Sequence, residues 1–241
     1  MSVPEEDARD STHRKVVFLF DVDNTLIDND AVVRDFGAHL VREAGSEAAE
    51  RYWAIFEEVR RDVGYADYLG ALQLYRLECF HDPRLFLLSS YLLDYPFADR
   101  LYPHALDVLA RSAGLGRTVV FSDGDAVFQP RKIERSGIRR AVEGRVLIRV
   151  HKERDLDCVE RFYPAPHYVL IDDKLRILAA VKRIWGRRVT TVFPQQGHYA
   201  RDPEALASFA RPDVTITGIA DLLDHDVAAL IRAASSQRGA R

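Results

Sequence analysis

The sequence predicts an α/β protein: three α/β/α layers around a parallel sheet, with a helical block inserted after the first strand. Three observations predict it. Short apolar runs such as Val16-Val-Phe-Leu-Phe20 and Tyr168-Val-Leu-Ile171 read as strands buried on both faces. From Leu101 onward these runs alternate with stretches of helical spacing, which places strands in a central sheet and helices on both sides. Between the first run and the second, residues 30–100 keep helical spacing throughout, a length that no simple crossover needs.

Composition fits that class. A chain of 241 residues suits one large domain, or a core domain carrying a smaller insert. A hydrophobic content of 47% supports a sizeable core and argues against overall disorder. The net charge of −3 gives no reason to expect nucleic acid or an anionic membrane as a partner. Cys79 and Cys158 do not make a disulfide framework, so a reducing, cytoplasmic location is the expectation. Met1 to Asp10 is acidic and polar without an apolar signal segment, and no run approaches the length of a membrane span. Residues 1–13 read as a disordered lead-in.

The elements follow in order. The first strand is Val16 to Phe20. In the helical block, Val32, Val33, Phe36 and Leu40 fall at helical spacing, as do Tyr52, Ile55, Phe56 and Val59. Leu69 to Leu93 continues it. A helix opens at Pro103 and stops at Gly114, with proline in the first turn and glycine past the end. Thr118 to Phe121 is the second strand, followed by a helix from Val127 to Ser136. Val146 to Val150 is the third strand and Glu153 to Phe162 the next helix. Tyr168 to Ile171, a helix from Leu175 to Trp185, and Val189 to Phe193 complete the regular alternation. Pro203 to Phe209 is a short helix, Val214 to Thr217 an edge strand and Ile219 to Ala233 a closing helix.

What stands at the strand ends carries the chemistry. Strand one ends in Asp21 and Asp23, strand two in Ser122, strand three in Lys152 and strand four in Asp172 and Asp173. In a parallel sheet these ends share one edge, where ligands of open α/β sheets bind. Ionised carboxylates are costly to desolvate unless a cation or hydrogen-bond donors meet them. The set suits phosphate chemistry. One carboxylate can attack phosphorus and a second can shuttle the proton, Mg²⁺ takes oxygen ligands, and Ser and Lys can hold phosphoryl oxygens.

In these residues the chain resembles the haloacid dehalogenase superfamily, in its phosphatase-type branch. Asp21-Val-Asp-Asn-Thr-Leu matches the first motif, Phe121-Ser-Asp-Gly124 the second and Lys152 the third. Ile171-Asp-Asp173 matches the double-aspartate form of the fourth. Asn24 stands where many members have glycine, and Glu153 where proline is common. The resemblance covers the core and implies a Rossmann-like three-layer domain over 14–29 and 100–232. It also implies a helical cap of the C1 type over 30–99, with 233–241 as a frayed tail.

The resemblance further implies roles. Asp21 would be the nucleophile that becomes an aspartyl-phosphate. Asp23 would be general acid, then base, while its backbone carbonyl binds Mg²⁺. Thr25 would support the loop. Ser122 would hydrogen-bond a phosphoryl oxygen with help from the Asp123 backbone N–H, and Gly124 would allow close approach. Lys152 would offset negative charge. Asp173 is the first choice for a direct Mg²⁺ ligand beside Asp21, with Asp172 a second ligand or acting through water. The plainer readings are Ser122 as a turn residue and Lys152 as a solvated helix start.

The expected activity is therefore hydrolysis of a small phosphorylated metabolite. A phosphotransferase or a C–halogen hydrolase on the same scaffold, and a binding or regulatory protein without turnover, are the alternatives. Oligomeric state is not legible. Arg61 and Tyr65, where Gly64 breaks the helical pattern, are candidates for substrate contact, against an ordinary interhelical turn. Hinges for a mobile lid are expected near Ile27–Asn29 and Phe97–Arg100. Pro194-Gln-Gln-Gly-His-Tyr199, on the site's edge of the sheet, has two readings, a border of the site and, as the safer one, a surface loop. Arg131-Lys132, Arg139-Arg140 and Arg187-Arg188 read as solvated faces, and Cys158 as a packed residue without chemistry.

Overall fold

The computed structural model describes residues 15–78 and 83–226. Six strands form one sheet: β1 (Val16–Phe20), β2 (Arg117–Asp123), β3 (Val146–Arg149), β4 (His167–Ile171), β5 (Val189–Pro194) and β6 (Val214–Ile216). Their spatial order is β3-β2-β1-β4-β5-β6, and every neighbouring pair is parallel. The order reverses at β1, which sits between β2 and β4. In such sheets the crevice at the reversal, beyond the carboxyl ends of the strands, is where ligands bind. Phe20 pairs with Val120 on one side and Ile171 on the other, so the residues following β1 and β4 emerge at the same level.

Side chains of β1 alternate between two cores, as the two-residue period of a strand requires. Val17 and Leu19 join Tyr168, Leu170 and the inner faces of helices Leu156–Phe162 and Leu175–Trp185. Val16, Phe18 and Phe20 face the other way, into a cluster that continues through Val32, Phe36, Tyr52, Tyr68 and Leu88. That cluster joins the sheet without a break to four helices, Asn29–Ala44, Ser46–Val63, Tyr68–Glu78 and Arg84–Asp94. Phe36 is their aromatic centre, with ring centroids of Tyr52 at 5.3 Å and Trp53 at 6.0 Å.

The chain enters and leaves this helical block at one place. Ile27 bridges Leu101, the Asp28 N–H donates to the Arg100 carbonyl (2.8 Å) and the Tyr102 N–H donates to the Leu26 carbonyl (2.9 Å). The Asp28 carboxylate then caps the first helix by accepting from the Ala31 N–H at 2.8 Å. Among the described residues no helix is long and apolar enough to cross a membrane.

Several boundaries differ from expectation. The helix anticipated from Pro103 begins at Ala105, because His104 takes a left-handed φ of 61°. Strand β2 runs on through Ser122 and Asp123, which pair with Ile148 and Arg149. The helix anticipated from Glu153 is two pieces, a 3-10 turn at Lys152–Arg154 and an α-helix at Leu156–Phe162, parted by the non-helical Asp155 (ψ 41°). The closing helix is, in its described part, a 3-10 turn at Ile219–Leu223, whose Asp221 carboxylate reaches back to accept from the Thr217 N–H. Its remainder, the expected lead-in over 1–13, the tail over 233–241 and Cys79 lie outside the described residues.

Because Leu19 is wholly buried in the central strand, Leu19→Ala removes atoms the core cannot replace. We expect a loss of about 3 kcal/mol in unfolding free energy, read from urea denaturation followed by circular dichroism. Leu206→Ala, at an exposed helix position, should stay within about 0.5 kcal/mol of the parent.

Candidate active site

The loop after β1 is tightly wound. Leu26 and Ile27 both donate their N–H to the Val22 carbonyl, at 2.9 and 3.0 Å. Asn24 sits at φ 58°, the left-handed region that Asn tolerates better than most residues, which accounts for Asn where glycine is common. Its side chain is fixed by Asp30, donating to the carboxylate (2.9 Å) and accepting from the backbone N–H (3.2 Å). Thr25 is buried within this loop, and its carbonyl accepts from Gln196 Nε2 at 2.7 Å.

The turn brings Asp21 to the buried end of the sheet beside Asp172 and Asp173. One oxygen from each of these three carboxylates lies within 4.8 Å of the others. Lys152 reaches in from the end of β3. Its ammonium contacts Asp21 Oδ1, lies 2.7 Å from Asp172 Oδ2 and donates to the Phe121 carbonyl at 3.0 Å. Burial works against that ammonium, but Asp172, Asp21 and Asp123 outweigh it and hold Lys152 protonated. Burial likewise pushes the Asp21 carboxyl above its usual range, with Lys152 opposing and Asp172 adding to the rise. Asp173 is raised mainly by burial, with Lys174 opposing and Asp21 and Asp172 adding.

The two aspartates of the fourth strand end are not equivalent. Asp172 is engaged twice, by Lys152 and by the Lys174 N–H at 2.8 Å. Neither oxygen of Asp173 has a hydrogen-bond partner among the described residues, and neither do Asp21 Oδ2 and Asp172 Oδ2, although the last lies against the Lys152 ammonium. Buried, unpartnered carboxylate oxygens clustered in this way fit a hard divalent cation such as Mg²⁺.

Ser122 and Asp123 occupy the last residues of β2. The Ser122 hydroxyl accepts from Gln129 Nε2 at 3.0 Å and donates to the Asp123 carbonyl at 3.2 Å. Asp123 Oδ1 accepts from the Lys152 N–H at 2.7 Å, so β2 positions the lysine of β3. A Cβ on Gly124 would come within 2.7 Å of Gln129 Cβ, which explains the glycine. Ser122 is thus a buried strand residue and Lys152 a buried ammonium, not a turn residue and a solvated one.

Asp23 lies apart from the other carboxylates, on the wall of a cavity of about 550 Å³. The cavity's sheet side carries Asp123, Gly124 and Lys174, and its helical side Trp53, Phe56, Arg60, Tyr65 and Tyr68. Arg61 is exposed and does not line it, because Arg60 is the residue whose turn of helix faces inward. The Arg60 guanidinium donates to the Tyr199 hydroxyl at 2.6 Å and to Glu57 at 3.2 Å.

Two further expectations are corrected. The 194–199 segment is not a plain surface loop. Gln196 is buried, donating to the Asn24 and Thr25 carbonyls and accepting from the Ile219 N–H (2.9 Å), while His198 and Tyr199 line the cavity. Lys132 is not part of a solvated face, since it is fully buried with its ammonium 2.7 Å from Asp23 Oδ1. Its neighbour Arg131 is the exposed member, paired with Asp94 at 3.1 Å. The signal for Lys132 was scarcity, one of five lysines in the chain, together with its place in the apolar phase of its helix, four residues after the buried Phe128. Cys158 packs half-buried against the second core cluster, beside Arg149.

Comparison with known proteins identifies the family of the chain. Residues 16–184 match the family model of haloacid dehalogenase-like hydrolases. A crystal structure of a haloacid dehalogenase-like hydrolase from Burkholderia xenovorans is 59% identical with a TM-score of 0.86, covering 90% of this chain and 98% of that one. A haloacid dehalogenase-like family hydrolase from Xanthomonas campestris is 19% identical with a TM-score of 0.66, over 93% of this chain and 95% of its own. L-2-haloacid dehalogenase from Xanthobacter autotrophicus shares the fold at 15% identity and a TM-score of 0.57, over 86% and 96%. No curated protein sequence matches the chain.

The inequality of the two neighbouring aspartates is measurable. Asp173→Asn should weaken Mg²⁺ binding by roughly tenfold or more in isothermal titration calorimetry, and Asp172→Asn by less. Equal or reversed affinities would contradict the assignment of Asp173 as the main ligand.

Proposed function

From the premise that this chain belongs to the haloacid dehalogenase-like hydrolase family, we propose that it is a Mg²⁺-dependent phosphatase of a small phosphorylated metabolite. The observation that supports phosphate over halide is the second carboxylate. Asp23 lies two residues beyond the buried Asp21 and faces the cavity. Displacing halide needs a carboxylate nucleophile but no acid, since halide leaves unprotonated. An alkoxide is far more basic and gains from a proton donor.

In the proposed reaction Asp21 attacks phosphorus, the bond from phosphorus to the ester oxygen breaks, and Asp23 delivers a proton to that oxygen. Asp23, now a carboxylate, takes a proton from water as the water attacks the aspartyl-phosphate, releasing inorganic phosphate and restoring Asp21. Lys152 and the Ser122 hydroxyl offset or hold charge on the phosphoryl oxygens, and the Asp123 N–H assists. Asp173, Asp21 and Asp172, with the Asp23 backbone carbonyl, would hold Mg²⁺. When bound, the ion would neutralise the clustered carboxylates and the phosphoryl group.

The helices over 30–99 act in this reading as a cap on the core formed by 14–29 and 100–232. Their aromatic wall, Trp53, Phe56, Tyr65 and Tyr68, meets the leaving group and keeps water from the first transfer. The paired crossings at Ile27 and Leu101 are the place for lid motion to hinge. The protein works in the cytoplasm on a small molecule, with neither nucleic acid nor membrane as partner.

A panel of phosphate monoesters and 2-haloacids, assayed with Mg²⁺ and with EDTA, tests the reading. Phosphate release that needs Mg²⁺ is expected, and halide release without phosphatase activity would replace the proposal with dehalogenation. Phosphate appearing on an added alcohol or sugar acceptor would make it a phosphotransferase, and no turnover of any kind a binding protein. Asp21→Asn should be inactive. Asp23→Asn should be slowed by roughly 10²–10⁴-fold on alkyl phosphates, and by less on aryl or acyl phosphates with good leaving groups.

Specificity is separately testable. Arg60→Ala and Tyr65→Ala should reorder kcat/KM across the panel while changing turnover of a minimal aryl phosphate little. Arg61→Ala, outside the cavity, should leave the order as it is.

A further inference from the structure

Lys132 is a buried charge that plays no part in that mechanism. It lies on helix Phe128–Arg135, with its ammonium 2.7 Å from Asp23 Oδ1, 2.9 Å from Asn29 Oδ1 and 5.0 Å from the centre of the Phe128 ring. A buried ion pair is weak evidence for stability, because an apolar residue of similar volume often serves as well or better. Stability alone therefore gives little reason to place a lysine here.

The three groups around it belong to different parts of the fold. Asp23 is in the loop after β1. Asn29 is the first residue of the helix that leaves the sheet, directly after the paired crossings. Tyr68, in the helical block, stands on the same cavity wall as Asn29. Asp23, Asn29 and Tyr68 all line the cavity, and Lys132 lies behind them. One turn earlier on the same helix, Gln129 holds the Ser122 hydroxyl. Residues three apart share a helix face, so a single face supports two site groups.

We propose that Lys132 is a positioning residue for Asp23: its ammonium fixes Oδ1 and leaves the other oxygen to meet the leaving group and then water. Through Asn29 the same ammonium ties that carboxylate to the root of the helical block. This inference rests on the phosphatase reading for its kinetic consequence. Its structural content, that Asp23 owes its orientation to Lys132, does not depend on it.

The test is a double-mutant cycle between Lys132→Met and Asp23→Asn, with an alkyl phosphate as substrate. A carboxylate displaced by even about an ångström costs up to roughly 10²-fold, so Lys132→Met should lower kcat by about 10–100-fold with KM within about threefold of the parent. In the Asp23→Asn background the same substitution should cost less than about threefold, since its effect passes through a group already removed. The same fold-loss in both backgrounds, or no loss in the parent, would overturn the proposal. Crystal structures of the parent and of Lys132→Met give a readout independent of turnover: a displaced or disordered Asp23 carboxylate supports the proposal, and an unchanged one overturns it. If the parent hydrolyses no phosphate ester, the phosphatase reading fails and the crystallographic arm alone decides. If Lys132→Met does not fold, Lys132→Gln, which removes the charge and keeps a polar end for the buried position, takes its place in both arms under the same criteria.

Discussion

Three carboxylates, those of Asp21, Asp172 and Asp173, are buried together at the end of a parallel sheet, and against their repulsion the chain sets the Lys152 ammonium, in contact with two of them, and the Lys174 ammonium, which acts on all three. The rest of the site depends on where the Lys152 ammonium sits. Asp123 accepts the Lys152 backbone N–H, and His151 turns through a left-handed φ of 59° to send the lysine inward. The extra length of β2 therefore has a purpose, because a strand ending at Phe121 would not carry Asp123 to the place where it holds Lys152. Lys152 engages Asp21 and Asp172 and leaves Asp173 bare. Asp173 is thus the carboxylate most open to the cation in the proposed site.

The sheet makes this convergence possible. With β1 in the middle and its neighbours in register at Phe20, the ends of four strands meet within a few residues of one another. Because β1 is buried on both faces, its position is fixed from two sides, and a slip of one residue would exchange its two cores. The loop after it is fixed a third time, by Gln196 from the far end of β5. The nucleophile and acid of the proposed reaction thus stand on a rigid platform, while the aromatic wall of the cavity belongs to the helices.

Much of this was legible in the sequence. The strands were readable because a doubly buried strand must be apolar without interruption, and the motif residues because they follow such runs directly. What was not legible depends on tertiary contacts. Lys132 beside Arg131 looks like one basic pair, and only the helix phase separates a buried ammonium from an exposed guanidinium. Arg60 and Arg61 pose the same problem, since one step of about 100° decides which of them faces the cavity. Gln196 reads as a polar loop residue because its partners, the carbonyls of Asn24 and Thr25 and the N–H of Ile219, are distant backbone groups that carry no sequence signature.

These contacts bear on how one scaffold serves different reactions. L-2-haloacid dehalogenase from Xanthobacter autotrophicus shares this fold at 15% identity, so the sheet and helices by themselves do not choose the bond that is broken. The choice falls to what stands beside the nucleophile. In this chain that place holds a second carboxylate, Asp23, and a buried lysine that engages one of its oxygens. An ammonium in a fully buried position is costly to keep without a partner, so Lys132 and Asp23 form a unit whose members constrain each other. A halide-releasing site has no use for such a unit, because its leaving group takes no proton. A phosphate-releasing site uses it twice, once to protonate the departing oxygen and once to activate water. The pairing of Asp23 with Lys132 thus fixes one oxygen of the carboxylate on which the phosphatase reading rests.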